Sequence, residues 1–129
     1  MTAASAVVLA APASAGTACS AGYHCIFYLG FDSAKHSFFD NDSNFAGNTF
    51  NQTGSNGGSA GLGYSADDNT VSASNSSTGG YESHYYANSG YTTFIFCVNP
   101  GSEVDYIPTS LQNRASSLKL WGTTPVNCY

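Results

Sequence analysis

Cysteine is the residue type in this chain whose chemistry is most readily inferred from its spacing. The 129-residue sequence contains four cysteines, Cys19, Cys25, Cys97 and Cys128. An even number of cysteines in a small domain predicts two disulfides, for which three pairings are possible. The spacing favours Cys19 with Cys25 and Cys97 with Cys128. A zinc site is the alternative, but the sequence has no Cys-x-x-Cys pair and its three histidines are scattered.

The other reactive side chains form no recognisable catalytic pattern. The sequence has no Gly-x-Ser-x-Gly, His-Glu-x-x-His or P-loop motif, and Glu82 and Glu103 are far apart. His24, His36 and His84 flank two aromatic hairpins, so a metal site formed by these histidines is one hypothesis. The other is that they pack as polar-tipped residues of aromatic strands. We therefore predict that the protein is not an enzyme.

Charged residues are scarce in this sequence. They make up only 9% of the chain, and the formal net charge is -5. The three cations, Lys35, Arg114 and Lys119, leave no basic surface for phosphates, which argues against nucleic acid as a partner. An aromatic content of 14% argues against a disordered chain. Many Ser, Thr, Asn and Gly residues beside these aromatics favour strands and turns over helices.

Residues 1–15 (MTAASAVVLAAPASA) have the features of a signal peptide. An apolar run ends on Ala13-Ser14-Ala15, the small-x-small pattern that signal peptidase accepts, although no Lys or Arg precedes the run. The run is too short to span a bilayer as a helix, and an ordinary Ala-rich helix is the alternative. We expect a secreted, extracellular monomer without a membrane partner, folded as one domain over residues 16–129.

Two aromatic hairpins predict an internal duplication. Phe27-Tyr28 in the first hairpin matches Tyr85-Tyr86 in the second, and each hairpin is followed by a connection rich in Gly, Ser and Asn. Two units of hairpin, long return and closing strand predict two Greek keys, at about residues 22–78 and 80–124. These units should face one another in an all-β sandwich.

Two further local predictions concern packing. The last predicted strand should place Trp121 in the core, with Leu118 and Leu120 as neighbours. Residues 54–63 (GSNGGSAGLG) are so rich in glycine that we expect a flexible loop there.

Several segments resemble those of known families. The paired hairpins and the segments 68–73 (DNTVSA) and 112–117 (QNRASS) resemble βγ-crystallin-like Greek-key domains. More narrowly, residues 16–129 resemble the secreted actinobacterial peptidase inhibitors typified by the Streptomyces metalloproteinase inhibitor. The matching pieces are Cys19-x5-Cys25 with Ile26-Phe27-Tyr28, Asn44-Phe45-Ala46-Gly47, Cys97-Val98-Asn99-Pro100-Gly101 and Asn113-Arg114-Ala115-Ser116-Ser117. The resemblance implies a βγ-crystallin-like β-sandwich.

The βγ-crystallin resemblance also implies a calcium site. In calcium-binding members, the motif Asn/Asp-Asn/Asp-x-x-Ser/Thr-Ser supplies side-chain and backbone oxygens to the ion. Each copy here departs from the motif once, at Ala73 and at Gln112. The alternative is that the motif only fixes a turn, and any calcium should bind weakly. The ligands that the resemblance implies are Asp68, Asn69, Ser72, Asn113 and Ser116.

Residues 40–44 (DNDSN) imitate the start of an EF-hand loop. Phe45 stands where that loop needs Gly, and Asn51 stands where it needs a bidentate Glu. We interpret the segment as a polar turn.

The inhibitor resemblance implies that the peptide bond between Cys97 and Val98 is a reactive site. The local composition suits this role, because a disulfide Cys, a β-branched residue and a Pro-Gly turn make a rigid projecting segment. We predict that the protein inhibits a secreted peptidase, and the resemblance implies a metallopeptidase. Calcium is the only cofactor that is implied, and we expect that no cofactor is required. Alternatively, these residues only end a strand and begin a turn.

Three other functions are compatible with the sequence. One is a calcium-binding βγ-crystallin module without inhibitory activity, and another is an antifungal killer-toxin-like protein of the same architecture. The third is binding of cell-wall sugars through tyrosines, of which the candidates are Tyr81, Tyr85, Tyr86 and Tyr91.

Overall fold

Strands and connecting turns make up the described part of the chain. The computed structural model describes residues 18–129, so the predicted signal peptide lies outside the described residues. Short 3-10 turns occur at Ser55–Gly57 and Thr109–Leu111, and residues 18–129 contain no helix long and apolar enough to cross a membrane. The strands are β1 (His24–Phe27), β2 (Lys35–Phe38), β3 (Ser72–Asn75), β4 (Glu82–Asn88), β5 (Thr92–Val98), β6 (Glu103–Val104) and β7 (Ser117–Trp121).

The strands form two antiparallel sheets that exchange strands between the two halves of the chain. One sheet has the order β2-β1-β3-β6 and the other β5-β4-β7. The third strand of the second half, β6, pairs with β3 of the first half. Reciprocally, Asp42 of the first half forms a bridge with Leu118 in β7. The predicted fold class, a βγ-crystallin-like all-β sandwich of two Greek keys with two disulfides, is confirmed.

Strand register defines how the two halves correspond. Phe27 pairs with Ser72 across β1 and β3, whereas Tyr86 pairs with Ser117 across β4 and β7. Phe27 therefore corresponds to Tyr86, and the predicted match of Phe27 with Tyr85 is wrong by one residue. Tyr85 corresponds instead to Ile26, and both side chains are fully buried. A shift of one residue matters because it reverses which sheet face a side chain occupies.

The core lies between the two sheets and is rich in aromatic rings. Its fully buried members include Ile26, Phe45, Phe50, Tyr85 and Leu118.

Trp121 lies outside this core, so its predicted core position is wrong. Leu118 lies opposite Tyr85 and faces inward, and alternation along β7 keeps Leu120 on the same side. Trp121 is consequently on the outer face, where 40% of it is exposed.

Residues 54–63, where we predict a flexible loop, lie against the first hairpin and are joined to it by backbone hydrogen bonds. Gly54 N–H donates to the Gly58 carbonyl at 2.9 Å, and Ala34 N–H donates to the Ala60 carbonyl at 2.9 Å. A Cβ atom at Gly58 would lie 1.3 Å from the Asp32 carbonyl oxygen. Glycine here permits close backbone contact with the first hairpin, which is a different use from flexibility.

Both disulfides fasten segments that flank the strands. Cys19–Cys25 joins the segment before β1 to that strand, and Cys97–Cys128 joins β5 to the segment after β7. The second link is reinforced by backbone bonds, because Tyr129 N–H donates to the Cys97 carbonyl at 2.9 Å and Asn99 N–H donates to the Tyr129 carbonyl at 2.8 Å. These pairings are the ones that the cysteine spacing favours.

Candidate functional site

The two Asn/Asp- and Ser-containing segments meet at a junction between the Greek keys. Asp68 N–H donates to the Ala115 carbonyl at 3.0 Å, and Asn113 N–H donates to the Thr70 carbonyl at 2.9 Å. Asp68 and Asn113 both have left-handed backbones, with φ of 57° and 60°. The two residues therefore hold corresponding positions. Each segment is fixed by a backbone bond from the other.

Oxygen atoms from both segments come together on one side of this junction. The Ser116 hydroxyl donates to Asp68 Oδ1 at 3.0 Å, and Ser116 is 8% exposed. Asp67 precedes Asp68 in the sequence, and its Oδ1 atom is buried and has no hydrogen-bond partner among residues 18–129. A carboxylate beside a hydroxyl is the donor chemistry that a hard cation such as Ca²⁺ prefers. The donor set on this side therefore fits calcium.

The other side of the junction lacks the matching oxygen. Val71 N–H donates to Phe27 and Ser116 N–H donates to Tyr86, so Val71 corresponds to Ser116. The side chain of Val71 is hydrocarbon and is 3% exposed. Asn113 on that side also supplies a neutral amide where Asp68 supplies a carboxylate. The structure thus offers one calcium-compatible half-site and one half-site that does not fit.

Two of the implied ligands face other partners. The Asn69 amide donates to the Ser65 carbonyl at 2.9 Å within its own loop. The Ser72 hydroxyl donates to Asp105 Oδ1 at 3.0 Å and accepts from Tyr106 N–H at 2.9 Å. Among the five implied ligands, Asp68 and Ser116 are joined by a side-chain hydrogen bond.

Sequence reasoning missed Asp67 because the first motif was aligned one residue too late. The structure aligns Asp67-Asp68 with Gln112-Asn113, so the motif occupies residues 67–72 and not 68–73. The first two motif positions can be filled either by the adjacent acids Asp67 and Asp68 or by Asp68 and Asn69, so the sequence alone does not choose between the two alignments.

The EF-hand-like segment is a series of side-chain-to-backbone turns. Asp40 Oδ1 accepts from Asn41 N–H at 2.7 Å, and Asp42 Oδ1 accepts from Asn44 N–H at 2.9 Å. These bonds agree with the interpretation of residues 40–44 as a polar turn.

Comparisons with known proteins add one similar fold. No protein-family model and no curated protein matches the sequence. One similar solved structure is the N-terminal domain of protein S, which has the βγ-crystallin fold. It is 14% identical with a TM-score of 0.49, and the match covers 78% of this chain and 96% of that chain. The strand exchange described above is the observation on which the fold assignment depends.

Cys97 and Val98, the implied reactive site, lie inside β5. Cys97 is 1% exposed and Val98 is 0% exposed, and the Cys97 carbonyl accepts from Tyr129 N–H. The Val98 side chain belongs to the main core cluster and is not available to a specificity pocket of a peptidase. The residue that emerges next is Asn99, which is exposed at the start of a turn.

The three histidines have three different surroundings. His24 Nδ1 is 2.5 Å from the Ser83 hydroxyl, and burial lowers the pKa of His24 to about 4. His36 Nδ1 is 2.7 Å from the Thr49 carbonyl. His84 Nε2 is 2.8 Å from a Glu82 oxygen. Each ring thus has its own polar partner, as expected for packing residues.

The Glu82 carboxyl has a lowered pKa although it is buried. Burial opposes ionisation of the carboxyl, but hydrogen bonds from Thr124 and His84 outweigh it and lower the Glu82 pKa below its usual value. Glu82 is 3% exposed. A buried carboxylate therefore lies against the imidazole of His84 on the outer side of β4.

Two of the four tyrosines proposed for sugar binding are buried in the protein. Tyr85 is 0% exposed and Tyr86 is 9% exposed, whereas Tyr81 is 48% exposed. Tyr81 and Phe39 line a groove of about 460 Å³ together with polar residues. This groove keeps an aromatic surface of the kind that sugar binding would use.

Proposed function

We propose that the chain is a secreted βγ-crystallin-like binding module, not an enzyme, that binds one calcium ion between its two Greek keys. The observation that carries this proposal is the 3.0 Å contact between Ser116 Oγ and Asp68 Oδ1. The residue before Asp68 in sequence, Asp67, has a buried carboxylate oxygen without a hydrogen-bond partner among residues 18–129. Asp67 and Asp68 would supply charge, and Ser116 would supply the oxygen from the other key. Both disulfides fit an extracellular location, where calcium is abundant.

Calcium would stabilise the contact between the two keys, with low affinity because few charged ligands are present. Extracellular calcium modules have dissociation constants of about 10⁻⁴ to 10⁻³ M. At about 10 mM Ca²⁺ the ion would then stabilise the fold by about 1.4 to 2.7 kcal/mol. For a domain of this size that is an increase in melting temperature of roughly 5 to 10 °C.

Thermal unfolding with and without calcium tests the proposal. The wild type should melt at a higher temperature in 10 mM CaCl₂ than in chelator, and Asp68→Asn should lose this increase. Asp40→Asn is the matched control, because it removes the same charge from an exposed turn outside the junction. A wild-type melting temperature that is unchanged by calcium would refute the proposal, as would an equal loss of the increase in both variants.

Inhibition of an extracellular metallopeptidase is a second candidate function, and the turn after β5 supports it. Asn99 is exposed, its N–H bonds the Tyr129 carbonyl, and its amide donates to the Cys128 carbonyl at 3.2 Å. Gly101 N–H bonds the Asn75 carbonyl at 2.9 Å. The Cys97–Cys128 disulfide and these bonds brace an exposed turn, and such rigidity reduces the ordering cost of binding.

In this candidate function, the peptidase would contact the turn at residues 99–101 and not the buried Cys97–Val98 bond. Asn99→Arg should weaken inhibition of a thermolysin-type peptidase at least tenfold, about 1.4 kcal/mol of binding free energy. Asn51→Arg, also at an exposed asparagine, should leave inhibition unchanged. Full peptidase activity at micromolar wild-type protein would refute this function without bearing on calcium. Val98→Asp is unsuitable, because a buried charge would unfold the core.

A further inference from the structure

Four metal-ligating side chains converge on the outer face of the β5-β4-β7 sheet. They are Glu82, His84, Cys97 and Cys128, and their donor atoms all lie within 4.8 Å of one another. The first three residues are buried and Cys128 is half-buried. The set combines two sulfurs, one imidazole and one carboxylate, which is a donor set typical of zinc.

Strand pairing fixes three of the four donors. His84 lies directly opposite Cys97 in the pairing of β4 with β5, and Glu82 precedes His84 by two positions on the same face. The Glu82 oxygen Oε1 lies 2.8 Å from His84 Nε2 and 3.4 Å from Cys128 Sγ. A single carboxylate oxygen is therefore adjacent to both the imidazole and a sulfur.

Surrounding groups hold the acid and the imidazole in place. Thr124 N–H donates to Glu82 Oε2 at 2.8 Å, and the Thr124 hydroxyl donates to Oε1 at 2.6 Å. The His84 ring lies 5.5 Å from the Phe94 ring and 6.1 Å from the Trp121 ring. Partners that orient the ligands in this way are a regular feature of metal sites in proteins. The aromatic rings also reduce access of water to the cluster.

We propose that these four residues bind a zinc ion when the Cys97–Cys128 disulfide is reduced. A dithiol reductant supplies two electrons and two protons, so the sulfur–sulfur bond breaks, each sulfur becomes a thiol, and the reductant becomes a disulfide. Zn²⁺ then displaces one proton from each thiol and binds the two thiolates, His84 nitrogen and the Glu82 carboxylate. Metal and disulfide exclude each other, because sulfurs joined in a disulfide are not thiolates.

The required movement is small and falls on the segment after β7. Zn–S bonds of about 2.3 Å in a tetrahedral site separate the two sulfurs by roughly 3.8 Å. Cys97 is held in β5, whereas Cys128 lies outside the strands. Cys128 can therefore move away from Cys97 while Cys97 stays in its strand. The Glu82 oxygen and the His84 nitrogen, which are 2.8 Å apart, need only separate to roughly 3.3 Å, the spacing of two oxygen and nitrogen ligands in a tetrahedral zinc site. The soft sulfurs favour Zn²⁺ over Ca²⁺, so this site is chemically separate from the Asp68–Ser116 junction.

Cobalt spectroscopy on the full chain tests the proposal. The protein is reduced with dithiothreitol, desalted without oxygen and titrated with Co²⁺, which reports tetrahedral thiolate coordination by colour. The reduced wild type should show thiolate-to-cobalt and tetrahedral ligand-field bands that saturate at one equivalent, and zinc should abolish them. The oxidised protein should show neither band.

Paired cysteine variants identify the site. Reduced Cys19→Ser/Cys25→Ser should keep the cobalt bands, and reduced Cys97→Ser/Cys128→Ser should lose them. Circular dichroism of each reduced sample reports whether the sheets persist. Absent bands in a folded reduced wild type would overturn the proposal, as would bands that survive in Cys97→Ser/Cys128→Ser. A reduced wild type that is unfolded and that zinc does not refold would also overturn it.

Discussion

The buried imidazole of His24 makes a quantitative prediction about acid stability. His24 is 1% exposed, and burial lowers its pKa from 6.5 to about 4. A shift of about 2.5 pKa units corresponds to about 3 kcal/mol at about 1.4 kcal/mol per unit. The neutral ring is the form that the fold accepts, so the unfolded chain binds a proton at higher pH than the folded chain does. Stability is therefore complete above pH 6.5 and decreases as the pH falls towards 4.

Urea unfolding of wild type and His24→Gln between pH 7 and pH 4 measures this effect. The free energy of unfolding should fall by about 3 kcal/mol more in the wild type than in the variant, because Gln has no proton to bind. Both proteins contain the same carboxylates, so their difference isolates His24. Two parallel pH profiles would refute the reasoning. A loss of this size is large beside the 5 to 15 kcal/mol that typically separates folded and unfolded domains.

Four substitutions test other parts of the structure. Gly58→Ala should abolish folding of its segment, since its Cβ would lie 1.3 Å from a backbone oxygen. The Cβ of Gly57→Ala meets no atom within 4 Å, so this variant should lose only about 1 kcal/mol of unfolding free energy in urea. Equal losses in the two variants would contradict the close backbone contact at Gly58. Thr70→Val should raise the free energy of unfolding by about 1 kcal/mol, because the buried Thr70 hydroxyl has no partner within residues 18–129; a marked loss of stability would mean that the hydroxyl is bonded. Val71→Ser should add the missing hydroxyl and raise calcium stoichiometry from one to two by calorimetry, and an unchanged stoichiometry would contradict the half-site argument.

The sequence predicts the strands and disulfides well because these depend on local patterns. Aromatic alternation identifies the hairpins, and cysteine spacing favours the observed pairs. The match between the two halves that the sequence suggests is one residue out of register, because adjacent aromatic residues such as Tyr85 and Tyr86 fit either alignment. Only strand pairing shows that Tyr85 faces inward with Ile26.

The candidate sites were harder to predict because they depend on contacts between distant segments. Asp67 is recognisable as a candidate ligand only once the backbone bonds between the keys align the two motifs. The burial of Val98 follows from the continuation of β5, which composition alone does not reveal. The cluster of Glu82, His84, Cys97 and Cys128 forms because β4 pairs with β5 and because the chain after β7 brings Cys128 next to β5. No Cys-x-x-Cys spacing in the sequence indicates it.

The outer edge of β5 has a consequence for how copies of this chain behave in a crowded solution. An uncovered strand edge invites another chain to add to the sheet, and with 9% charged residues this chain has few charged side chains to place along such an edge. Here Tyr129 occupies the edge beside Cys97 and Asn99, and the left-handed backbone of Thr93, with φ of 63°, interrupts the edge at its other end. Chain geometry thus limits self-association where charge cannot. If Cys97–Cys128 opened, Tyr129 would be held at that edge by its two backbone hydrogen bonds without the covalent link beside them.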